Sequence, residues 1–301
     1  MIVIEGVQVN TCASSALNNS DGLPIPLYVR AYFRFPCRNA DKAERNHVTL
    51  THMNHADHAQ IVAYLNEANK AKYSEQAIKN RFEAVPAPVY GADMARWIPD
   101  FEYAHRLLIE GLAIHIPDTA IGVDLGAGTG RVSKLLLNAF PSVQLTLVDI
   151  SANMLGEAKR QLAGYTDRCR FRVHDIFDEA LDFPAGSLDF VVSVFAICHA
   201  QQVSTYVYLY QRIRRWLKPG GIFVCYDHVL GDSLQLNALG WHRLLLASQN
   251  SEQAKEGIVS TYQEDSPLPL RQHLDLLIQA GFGVVDVLYK RNIFAIYTGI
   301  K

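Results

Sequence analysis

The stretch VDLGAGTG, residues 123–130, limits what this chain can fold into more than any other. Gly126, Gly128 and Gly130 sit between an apolar run, IGVDL, and a run with helical spacing, GRVSKLLLNAF. A strand that passes into a helix through such a turn brings its backbone close to another group. Glycine alone tolerates both positive φ and an approach where a Cβ would stand. The dinucleotide fingerprint G-x-G-x-x-G needs its third glycine where Arg131 stands, and no G-K-[ST] follows. Neither a dinucleotide turn nor a phosphate-cradling P-loop fits.

From Ile121 onward the pattern alternates. IGVDLG, QLTLVDI, CRFRVHDI, LDFVVSVFAI and GIFVCYDHV read as strands. GRVSKLLLNAF, ANMLGEAKRQLAGY and VSTYVYLYQRIRRWL between them have helical periodicity, and KPGG stops the last of these helices. PLRQHLDLLIQAGF reads as a final helix, and GVVDVLYK and NIFAIYTGI as two strands split by Arg291–Asn292, a hairpin signal without glycine. The expectation is an α/β fold: a Rossmann-like, mostly parallel seven-stranded sheet with helices on both faces and an antiparallel C-terminal hairpin adding a strand at the edge. Residues 119–301 form that domain, with a cap insertion at about 230–264. Residues 51–118 read as a helical lid or cap interrupted by the Pro-rich AVPAPVYGAD, and residues 1–50 as an N-terminal extension whose structure the pattern leaves open.

At 301 residues and 49% hydrophobic, the chain can bury one sizeable core with appendages. A net charge of −2 lacks the basic footprint of a nucleic-acid binder. Cys12, Cys37, Cys169, Cys198 and Cys225 show no C-x-x-C spacing, which argues against a disulfide framework or a zinc site. The start, MIVIEGVQVNTCASS, has no positive n-region, and no run approaches a membrane span. The expectation is a soluble, cytoplasmic protein with no membrane partner. His47, His52, His55 and His58 invite a metal reading, but their spacing suits a solvated helix better, and no metal is expected.

Three acids stand at the carboxyl ends of the first three strands, where ligands bind in such sheets: Asp124, Asp149 and Asp175. A carboxylate at the end of the second strand suits the two hydroxyls of a ribose; Asp149 has helix capping as its alternative role, for which Ser151 competes. The ordered series VDLGAGTG, LVDIS, VHDIFD, LDFVVSVFAICH and LKPGG resembles the class I S-adenosylmethionine-dependent methyltransferases over roughly residues 90–301. The resemblance implies S-adenosylmethionine as cofactor. Its methionine part would lie near Asp124 and the turn of Gly126, Gly128 and Gly130, its ribose on Asp149, and its adenine on Ile150 and Asp175, with Met154, Ile176 and Val194 beside it.

Methyl transfer from a sulfonium needs in-line positioning, and a base only where the acceptor arrives protonated. His199 in FAICHA and the neighbours Asp227 and His228 in CYDHV are the candidates for positioning or proton removal. Tyr73, Tyr90, Arg96, Trp97 and Tyr103 precede the first strand, and Trp241 and Arg243 fall in the cap insertion. Aromatics there suit a cation and arginines a carboxylate. The partner expected is a small molecule. In length and in its extended N-terminal part the chain resembles bacterial methionine S-methyltransferases, which puts the thioether sulfur of methionine first. Three alternatives stay open: N- or O-methylation of a small metabolite, a tRNA-modifying transferase similar in its tail, and a non-catalytic cofactor binder. Monomer and homodimer are both open.

Overall fold

The computed structural model describes residues 72–84, 98–247 and 263–301, with isolated positions between 59 and 87 and at Thr261. The chain divides between Thr51 and His52, and every described residue belongs to the second unit. The N-terminal extension, the histidine series 47–58, Tyr90, Arg96 and Trp97 lie outside the described residues. Two helices, α1 (Glu75–Ala84) and α2 (Phe101–Ala113), precede the sheet. Then come β1 (Ile121–Leu125), α3 (Arg131–Ala139), β2 (Gln144–Asp149), α4 (Ala152–Gln161), β3 (Cys169–Val173), β4 (Leu188–Val194), α5 (Val203–Trp216), β5 (Leu217–His228), α6 (Leu234–Ala247), α7 (Leu270–Gln279), β6 (Val284–Arg291) and β7 (Phe294–Ile300).

The seven strands form one sheet in the order β3-β2-β1-β4-β5-β7-β6. The first five run parallel, as a strand–helix alternation demands. Both faces are covered, so central strands read as near-continuous apolar runs. Phe190, Val192, Ile222, Val224 and Tyr226 pack with Leu108, Leu112, Leu136 and Leu155 on one face. Val191, Phe223 and Cys225 pack with Tyr206, Tyr210, Trp216 and Leu277 on the other.

The expected hairpin closes the sheet at one edge. β7 does not lie at the edge. It inserts between β5 and β6, antiparallel to both. Burial explains the order: Phe294–Gly299 are buried throughout, whereas β6 is mostly half-exposed, so the more polar strand takes the edge. Asn292 supplies the left-handed turn residue, at φ 54°, that glycine would otherwise give. LKPGG is not a simple stop. Leu217 pairs with Leu188 and Ile222 with Phe190, so KPGG bulges out of the start of β5.

β1 pairs with β2 on one side and β4 on the other, and the chain reverses its direction of travel across the sheet there. Ligands in open α/β sheets bind beyond the carboxyl ends of the strands at such a switch point.

Candidate active site

The three glycines are needed for three reasons. Gly126 and Ala127 donate to Val148 O at 2.8 and 3.0 Å, which folds the turn back over the end of β2. At Gly126, φ is 75° and a Cβ would stand 2.2 Å from the Ala196 Cβ. At Gly128, φ is 53° and a Cβ would meet nothing within 4 Å, so this face is open to a ligand. Gly130 is outside the cleft lining. Its Cβ would meet Ala158 at 3.0 Å, so it serves the packing of α3 on α4.

Asp149 is clamped at the mouth of this turn. Its Oδ2 accepts from Gly128 N at 2.8 Å and its Oδ1 from Ser151 N at 2.9 Å. Ser151 takes the cap, accepting from Met154 N at 3.1 Å, which leaves the second lone pairs of Asp149 for another donor. Burial raises the Asp149 pKa, against those two backbone bonds. Asp124 is buried beneath the turn, where Ser133 Oγ donates to it at 2.6 Å; burial, with the charge of Asp149, pushes it up to about 7.

One cleft joins these groups. Asp124, Gly126, Gly128, Asp149, Ile150, Met154, Asp175, Ile176, Val194 and His199 all line it. Sequence reasoning missed Ile78, Phe82, Phe101, His105, Arg131, Phe177 and Phe195, which line it too. Phe195 follows β4 at φ 52°, a conformation a bulky residue holds only where its surroundings force it. Its N–H donates to Tyr226 O at 2.9 Å and its ring lies 4.6 Å from that of Tyr226.

A short 3₁₀ turn, Ile197–His199, then presents His199. Asp227 anchors the turn from below by accepting from Cys198 N and His228 N, each at 2.9 Å. Burial pushes Asp227 up to about 6. Asp265 is the residue no motif announced. Its Oδ1 lies 2.9 Å from His199 Nδ1, and its Oδ2 accepts from His228 Nδ1 at 3.0 Å. Burial opposes charge on both partners. The imidazoles nonetheless hold Asp265 below the usual carboxylate range, and Asp265, with Asp227 and Asp149, holds His199 above the ordinary histidine value. Cys198 stands beside this pair, but burial and the carboxylates push its thiol well up, which leaves it a poor metal ligand.

The remaining sequence candidates fall elsewhere. Asp227 and His228 support the turn without lining the cleft. Trp241 is buried edge-on against His228, 5.1 Å between ring centroids, and is core. Arg243 is exposed and donates to Asn292 Oδ1 at 3.2 Å. Tyr73 does not line the cleft; its N–H donates to Gln263 O at 3.0 Å. The helical segment before β1 reaches the cleft through Ile78 and Phe82 of α1 and Phe101 and His105 of α2. Exposed Tyr103 packs instead near Tyr289.

Residues 123–221 match a family described as "Methyltransferase domain". The chain is 38% identical over 124 residues to a trans-aconitate 2-methyltransferase of Acidovorax sp. (strain JS42), covering 40% of this chain and 44% of that one. It is 31% identical over 142 residues to a malonyl-[acyl-carrier protein] O-methyltransferase of Chlorobium phaeovibrioides, covering 45% and 51%. The matched part thus spans about half the length of these relatives. The solved structure of the S-adenosylmethionine-dependent methyltransferase SibL in its apo form shares the fold, with TM-score 0.53 and 18% identity over 82% of this chain and 70% of that one. No helix among the described residues is long and apolar enough to cross a membrane. With its glycine turn over β2, its strand order and these matches, the chain carries a methyltransferase domain over residues 123–221, and the matches support the class I S-adenosylmethionine-dependent kind.

Proposed function

We propose that this chain holds S-adenosylmethionine along the carboxyl ends of β1, β2 and β3 and directs methyl transfer to a small acceptor that carries a carboxylate, with the thioether sulfur of methionine placed first. When bound, this cofactor supplies a methyl group on a positively charged sulfur, open to in-line attack by an acceptor lone pair. The residues present fit it. Asp149 has lone pairs left for two ribose hydroxyls, the missing Cβ of Gly128 leaves room beside it, and Ile150, Met154 and Ile176 offer an apolar slot for adenine with Asp175 at its rim. Phe82, Phe101 and Phe195 narrow the cleft with rings that suit a cation and exclude water.

The observation that carries the acceptor class is His199. It lines the same cleft as Asp149 and is paired with a buried carboxylate that favours its charged form. A histidine held as a cation is a poor base and a good partner for a carboxylate. A thioether needs no base, so an amino acid with a sulfur acceptor matches this arrangement. A second reading, in which a carboxylate oxygen is itself methylated, draws support from the same cation and from relatives named for trans-aconitate and malonyl groups.

Incubation with methyl-labelled S-adenosylmethionine and a panel of methionine, trans-aconitate, simple amines and tRNA separates these readings. Label on methionine sulfur is the expected result, and a labelled methyl ester supports the second reading. Label on amines or tRNA alone overturns the carboxylate-bearing class.

A further inference from the structure

His105 was not singled out by any motif, yet it is a buried polar group that lines the cleft. It sits on α2, lines the cleft and is 2% exposed. Its Nδ1 lies 2.7 Å from Phe101 O. A carbonyl oxygen only accepts, so Nδ1 carries the hydrogen and the lone pair is on Nε2. Among the described residues no hydrogen bond reaches Nε2. The ring cannot turn away to find one. It packs 4.2 Å from the Phe101 ring and stands edge-on to Tyr226 at 5.7 Å.

The groups around it oppose one another, and burial decides. Burial, helped by the nearby Arg131, lowers its pKa against the bond to Phe101 O and against Glu102, which is itself paired with Arg131. The Tyr226 hydroxyl, pushed up by burial, brings no charge. His105 is therefore biased toward its neutral form where His199 is biased toward its charged form. The two histidines differ in what they offer a ligand: one a lone pair, the other a charged donor.

Position assigns this lone pair to the acceptor. The ribose and adenine groups Asp149 and Asp175 follow β2 and β3, on one side of β1. His105 packs on Tyr226 of β5, on the other side, as do the turn that bears His199 and the partner His228. We infer that His105 Nε2 accepts a hydrogen bond from an N–H or O–H group of the acceptor, which makes the acceptor an amino acid or hydroxy acid and not a simple carboxylic acid. This rests on the carboxylate reading given above. A site with a buried acceptor atom discriminates against a ligand that cannot donate to it, because the atom is then left dry and unpaired.

The test is calorimetry on the full chain saturated with S-adenosylhomocysteine, titrated with methionine, 2-hydroxy-4-methylthiobutanoate and 4-methylthiobutanoate. The first two acids bind at least about ten-fold tighter than the third. His105→Phe removes that difference, His105→Gln, which keeps an acceptor oxygen, restores part of it, and both variants bind S-adenosylhomocysteine as the wild type does. Equal binding of all three acids to the wild type overturns this inference alone. So does a His105→Phe variant that keeps the difference between acids. If S-adenosylhomocysteine binds and none of the acids does, the carboxylate reading falls, and this inference with it.

Discussion

Single residues in this site are tuned by burial. Asp124 has a folded pKa of about 7 against an ordinary carboxyl value of 3.8. Its contribution to stability is therefore complete below about pH 4 and is lost as pH rises through 7, a difference on the order of 4 kcal/mol. Asp124→Asn removes the charge and keeps the shape. The unliganded variant should melt higher than wild type at pH 8 and show a flatter dependence of Tm on pH between 4 and 8, while binding S-adenosylmethionine more weakly. Parallel Tm–pH curves for the two proteins contradict this. His199 carries the same sign into function. If, as proposed, its charged form binds the acceptor, acceptor affinity is present below its raised pKa and lost as pH rises through it. In Asp265→Asn burial is opposed only by the more weakly acting Asp227 and Asp149, so the KM-against-pH limb should move to lower pH with kcat less affected; an unmoved limb removes Asp265 from this role. Asp149, Asp175 and His199 were legible in the sequence because each closes or follows an apolar strand run. Asp265 was not, since EDSPLPL has neither periodicity nor motif and its importance comes only from where the fold brings it.

At the scale of elements, α1 is a clasp. Glu83 Oε1 accepts from Ala152 N at 2.8 Å at the start of α4, and Ser151 Oγ donates to Phe82 O at 3.2 Å. Just before the helix Lys72 donates to Asp265 O, and from its last turn Arg81 pairs with Glu264. Phe82 rests 5.3 Å from His199. One helix thus touches both the turn that follows Asp149 and the segment that carries Asp265. Residues 72–84 should exchange amide hydrogen more slowly when S-adenosylhomocysteine and acceptor are both present, and Glu83→Gln should reduce that protection. Exchange that ignores both ligands removes the clasp from the account. The helical character of this segment could be read from periodicity, but not which side chains reach the cleft. Tyr73 was the sequence candidate, whereas Ile78 and Phe82 fill the place. Aromatic residues in an amphipathic pattern give no sign of whether they face a core or a ligand. The hairpin shows the same limit. Both strands were legible, and their order in the sheet was decided by burial.

At the scale of the molecule, the fold explains why one cleft can hold so much of the chemistry. Helices cover both faces of the sheet, the strand order reverses between β1 and β4, and the acids at the ends of successive strands come together there. The alternation of strand and helix made this architecture legible, because each connection of parallel strands has one handed solution. The acceptor end was not legible, since it is assembled from α2, the turn after β4 and the segment before α7, which lie far apart in the chain. Asp149, clamped by Gly128, is the group proposed to hold the ribose of S-adenosylmethionine. Isothermal titration of S-adenosylmethionine into wild type and Asp149→Ala tests this role most directly, with circular dichroism confirming that both are folded. Loss of charged hydrogen bonds worth about 1.5–3 kcal/mol each predicts affinity weaker by roughly 10- to 150-fold or more in the variant. Equal affinity in the two proteins, or no binding to the wild type, contradicts the account.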